Sequence, residues 1–135
     1  EWVVNIHDER GSITAFVAVV ATALVLVAGM AYDGGQVIRA HNAARNNAER
    51  AARAGAQQID LDLLRATNEP RLDPAAAEAA AVDYLERAGV SGTATASDSS
   101  VTVTVTAVQR MLILPGADRT IVVSETAEAV DEAQP

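Results

Sequence analysis

Cysteine is missing from the chain, which excludes thiol nucleophiles, zinc–thiolate sites and disulfides and leaves the redox compartment open. Aromatic residues are nearly as scarce, at 3% of 135 residues: Trp2, Phe16, Tyr32 and Tyr84. A core without them buries little area per side chain, so the folded part is expected to be thin and built from Ala, Val and Leu. Lysine is absent as well, and all 10 cations are Arg. With a net charge of −8 and a pI of about 4.6, the chain is repelled by nucleic-acid phosphate, which argues against a nucleic-acid partner. The sequence opens on Glu1-Trp2 and not on Met, so further residues are expected upstream.

What the chain has in excess is apolar side chains, at 50% of the sequence, and they are concentrated near the start. From Gly11 to Tyr32 runs GSITAFVAVVATALVLVAGMAY, with no charge between Arg10 and Asp33. As a helix this run is roughly 33 Å long, against a hydrocarbon core of about 30 Å. Backbone in lipid must satisfy its own hydrogen bonds, so a lone segment of this kind is helical despite its many Val residues. A soluble buried helix would carry a polar face, and this run has none. Gly29-Met30-Ala31 offers a small-x-small signal cleavage site, but the apolar stretch exceeds the usual length of about 7–15 residues. The expected role is a retained membrane anchor. Charge alone gives Arg10 before the span and Arg39, Arg45, Arg50 and Arg53 after it, a distribution that would place the C-terminal part in the cytoplasm.

Asp33-Gly34-Gly35 stands where the helix leaves the membrane, and two glycines at about 1 kcal/mol each predict a bend or hinge. The helical period then resumes through Val37, His41, Ala44, Ala48, Ala51 or Ala52, Gly55 and Ile59, with Arg and Asn on the remaining circumference. So narrow a stripe of small residues lets another element approach closely. That element is either the chain's own domain or another copy. Thr67-Asn68-Glu69-Pro70 is expected to end this long helix. Asp73-Pro74 then starts a second one, as N-cap and first helical residue, with Ala77, Ala80, Ala81, Tyr84, Leu85 and Ala88 on its apolar face and Gly89 at its stop.

Beyond Val90 the period falls to two. Strands are predicted at Thr93–Ser97, Ser100–Gln109 and Arg119–Ala127, with Asp98-Ser99 as a tight turn. In the middle strand Val101, Val103, Val105 and Ala107 share one face, and Thr102, Thr104 and Thr106 the other. The Tyr84/Leu85 helix is the expected cover of the apolar face. The run Met111–Leu114, closed by Pro115-Gly116, either covers a sheet edge or is exposed and docks on a partner or a membrane surface. The acidic tail from Glu128 is expected to fray. The fold class is therefore α+β. It divides into an N-terminal flank (1–10), a transmembrane helix (11–32), an amphipathic helix (33–66), a small α+β domain (67–130) and an acidic tail (131–135).

Nothing in this pattern assembles a catalytic, cofactor-binding or metal site. His7 and His41 lie on opposite sides of the span and cannot meet within one chain, and no Cys is present to pair with either. Asp60 and Asp62 are two apart on an expected helix and point in different directions. Gly34-Gly35 lacks the other elements of a phosphate loop, and Asp131-Glu132 lies in the tail. The expected reading is a non-enzymatic chain with no cofactor and no small-molecule substrate.

Arg10-Gly11-Ser12 leading into the apolar helix, then Asp33-Gly34-Gly35, then the Ala/Arg/Asn-rich helix through Arg53-Ala54-Gly55-Ala56, resembles the TadE/TadG-like family of the tight-adherence (Flp) pilus-assembly system, especially its short actinobacterial members. Leu72-Asp73-Pro74-Ala75-Ala76-Ala77 and the Val/Thr strand Val101–Val108 look like those members too. The resemblance implies a minor pilin or assembly accessory, possessing an extracytoplasmic domain on an N-terminal helix and oriented N-in, C-out. That orientation is adopted over the arginine count, which lacks the upstream residues. Implied partners are membrane lipid and other pilus subunits, including copies of the chain through residues 12–60. Processed pilins carry a Glu at the fifth mature position; after cleavage at Gly11 that position would be Phe16, which favours an unprocessed, TadG-like anchor. The alternative function is a membrane-tethered extracytoplasmic binding or sensor module.

Overall fold

A computed structural model describes residues 8–113 and 115–129. Three helices, α1 (Asp8–Ala56), α2 (Leu61–Thr67) and α3 (Pro74–Arg87), precede three strands, β1 (Gly92–Ala96), β2 (Ser100–Gln109) and β3 (Arg119–Glu128). The strands form an antiparallel meander in the order β1-β2-β3. This is the α+β arrangement expected from the change of period after Val90.

The strand alternation sets the sheet's inner face. Val101, Val103 and Val105 are fully buried, and Ile121 and Val123 of β3 join them. The register pairs Val105 with Val123, Thr104 with Ser124 and Thr102 with Thr126. On the outer face the paired hydroxyls bond across the strands, at 2.8 Å for both Thr102–Thr126 and Thr104–Ser124. β1 and β3 begin and end within one residue of the expected limits, and β2 on them. Glu128 closes β3, and the Ala129 amide bonds the Ser99 carbonyl at 2.8 Å, so the chain stays ordered past the start of the expected tail. The tail proper, 131–135, lies outside the described residues.

Two helices cover the inner face. α3 begins as expected: Asp73 Oδ1 accepts from the Ala76 amide at 3.1 Å, Pro74 follows, and Gly89 takes a positive φ of 68° just past the C-cap. Its Ala77, Ala81 and Leu85 are buried, whereas Ala88 is exposed. The larger cover, however, is the distal half of α1, which packs on β2, β3 and α3. Ala44, Ala48, Ala51, Ala52 and Ala56 are all buried there. The small-residue stripe is thus occupied by the chain's own domain. At Gly55 the approach is so close that a Cβ would sit 2.8 Å from the Ala77 carbonyl oxygen.

One expectation for α1, its end, is corrected. The helix is unbroken through Gly34-Gly35, where Asp33 receives the β2–β3 loop. It ends, however, at Ala56 and not near Thr67. The break is tertiary in origin. Ile59 bridges Leu72, the Asp60 amide bonds the Arg71 carbonyl at 2.8 Å, and the Asp73 amide bonds the Gln58 carbonyl at 3.0 Å. Asp60 then caps the separate short helix α2, accepting from the amides of Asp62 and Leu63.

Candidate functional site

From Gly11 to Ala28 every residue of α1 is exposed, in contrast to the half of the helix that meets the sheet. Ile13, Phe16, Val17, Leu24, Val25 and Val27 are each more than half exposed. This surface is too large and too apolar to face water, and the single exposed apolar helix fits membrane anchoring. Its polar groups suit that setting. The Thr22 hydroxyl donates to the Ala18 carbonyl at 2.8 Å, which leaves no unpaired donor on that side chain. Tyr32, which accepts from Gln36 Nε2 at 2.8 Å, puts an amphipathic ring at the end of the apolar run, as suits a membrane–water boundary.

Where the apolar run ends, the sheet domain reaches back to meet it. β2 starts beside the distal end of α1, where Val101 touches Gly55, and leads toward the span. Its onward loop is received by Asp33, the one buried charged residue among those described, at 6% exposure. Asp33 Oδ1 accepts from the Leu112 amide at 3.1 Å and Oδ2 from the Ile113 amide at 2.9 Å. One carboxyl group thereby satisfies two consecutive loop donors. One turn earlier Ile113 fills the space over Gly29, whose absent Cβ would lie 2.7 Å from Ile113 Cγ1. Met111 lines an open recess at this junction together with Met30, Gly34 and Val37.

The run Met111–Leu114 therefore lies on α1 and does not cover a sheet edge, as far as its described residues go; Leu114 is outside them. The sequence placed Asp33 at the membrane exit but gave no sign of its bonds, which join residues some eighty positions apart. An acid directly abutting an apolar run, together with a second apolar run in a loop, was the available signal.

The remaining candidates do not converge. His41 is exposed on α1, so its place in the stripe is not a packing position. Asp60 is a helix cap, Asp62 pairs with Arg65, and Gly34-Gly35 lies within α1. His7, Asp131 and Glu132 lie outside the described residues. Among the described residues no three His, Cys, Asp or Glu side chains cluster in a way that could hold a metal ion. A recess lined by Glu69, Arg71, Asp98 and Glu128 among others opens to solvent, and Arg71 is already paired with both Glu69 and Asp98.

Residues 11–58 match the model of a family described as putative Flp pilus-assembly TadE/G-like. The matched segment comprises the apolar run, the Asp33 junction and the stripe that carries the sheet domain, and it supports involvement in tight-adherence pilus assembly. No curated protein and no solved structure matches the chain.

Proposed function

We propose that this chain, TadE/G-like over residues 11–58, is a structural membrane-anchored component of a tight-adherence pilus-assembly system that works by helix packing and not by catalysis. The observation that carries the reading is the division of labour along α1. One unbroken helix supplies both the spine of the domain and an uncharged rod that the domain leaves exposed. Lipid, or the equivalent rods of neighbouring subunits, must cover it.

In this reading the small α+β domain is extracytoplasmic, and the partners are membrane lipid and other pilin-like or assembly subunits. Of the surface 12–60 available for contacts between copies, the buried stripe Ala44–Ala56 is already occupied. Self-association would accordingly run through the exposed span. Deleting the gene in a piliated host and counting surface pili by electron microscopy tests the function. Loss of pili, restored by the wild-type chain but not by Val25→Arg, is the expected result; undiminished pili in the deletion strain would refute it.

A further inference from the structure

We infer that Leu112 and Ile113, in the connection from β2 to β3, form a second membrane contact, with Leu112 dipping into the lipid interface of the leaflet on the domain's side. This inference rests on the reading of α1 as the anchor. Depth is the first argument. Ile113 packs on Gly29, which lies about 5 Å inside the last uncharged residue, Tyr32, at 1.5 Å per helical residue. A loop held beside that turn is at the level of the outermost hydrocarbon whenever the run spans the bilayer.

Chemistry is the second argument. Leu112 is 72% exposed, the most exposed large apolar side chain described, and it sits at the tip of an apolar run beside the span. Irregular backbone at that depth is tolerated only if its polar groups are satisfied by protein. The amides of Leu112 and Ile113 are satisfied, both by Asp33. The exposed Arg110 and Arg119 flank the loop at its two ends, and arginine is a side chain whose stem can lie along apolar surface while its guanidinium pairs with a lipid phosphate. The occupant to which these features point is the headgroup–acyl boundary of a bilayer, continuous with the surface that already surrounds α1.

Because the chain has no cysteine, single-site spin labelling tests this directly. Three variants, Leu112→Cys, Val25→Cys and Thr95→Cys, are each labelled with a nitroxide and reconstituted at low density in phosphatidylcholine–phosphatidylglycerol vesicles. Collision rates are then measured with oxygen, which partitions into lipid, and with a water-soluble nickel chelate. Leu112 and Thr95 are exposed side chains, so their labels leave the packing undisturbed. The expected oxygen-to-nickel ratio at Leu112 is several-fold above that at Thr95 and approaches that at Val25. A lipid-like ratio at Val25 with a water-like ratio at Leu112 overturns the loop contact and leaves the anchor standing. A water-like ratio at Val25 overturns both. A Leu112 label shielded from both relaxers and broadened by a neighbouring spin would replace lipid with a second copy as the occupant, which also overturns the inference.

Discussion

Asp33 and the two glycines that flank the domain's contacts with α1 show how single side chains fix the geometry. Asp33→Ala would leave the Leu112 and Ile113 amides without their acceptor, at a cost of about 2 kcal/mol for part-buried donors. The expected outcome is fast hydrogen exchange at those two amides, measured in detergent micelles, with the sheet amides of β2 still protected. Equal loss of protection throughout β2 would mean that Asp33 supports the whole domain and not the loop alone. Gly29 and Gly55 separate by what each faces. Ala in place of either gains about 1 kcal/mol of helix propensity. At Gly29 the new Cβ meets Cγ1 and Cδ1 of Ile113, a partly exposed loop side chain that can turn about χ1, so Gly29→Ala is close to neutral in stability. At Gly55 it meets the Ala77 backbone, which cannot, so Gly55→Ala destabilises by about 1–3 kcal/mol in denaturant titration despite the same gain.

Among elements, α1 does two jobs that its sequence separates only in part. Enlarging the stripe, as in Ala51→Leu or Ala52→Leu, forces side chains into a fully packed contact with the sheet, at about 1–3 kcal/mol each. Ala43→Leu, on the exposed face of the same helix, is expected to leave the unfolding midpoint unchanged. A stripe variant as stable as wild type would contradict the observed packing. Much of this arrangement was legible beforehand. The Val/Thr alternation of β2 and the Asp73-Pro74 start of α3 are local signals, and both elements form where those signals lie. The end of α1 was not legible, because Gln57–Asp60 is helix-tolerant and the chain turns there only to pair Ile59 with Leu72. Asp60 as a cap for Leu61–Thr67 was available to sequence reasoning but was masked by that apparent continuity. His41 has the stripe's spacing yet lies outside the contact, since the sheet covers α1 firmly only from Ala44 onward. As for the junction, sequence showed an acid at the end of an apolar run, and only the fold could bring the loop amides to it.

At the scale of the whole molecule, the rod and the domain are one body joined by an uninterrupted helix. Val25→Arg places a charge mid-span at about 2.5–3.5 kcal/mol on insertion scales. Because the domain makes no contact with Val25, the variant is expected to fold normally and to appear in the soluble fraction. Unchanged membrane retention on fractionation would defeat the anchor assignment.

Continuity through Gly34-Gly35 has a mechanical corollary. From Asp33 to Ala56 the helix stands about 36 Å tall, so a lean of about 20° in the rod swings the far end sideways by about 12 Å. In the proposed assembly, a mast without a joint would convert the angle between neighbouring rods into the spacing of the heads they carry, so the embedded part would set the pitch of the array above it.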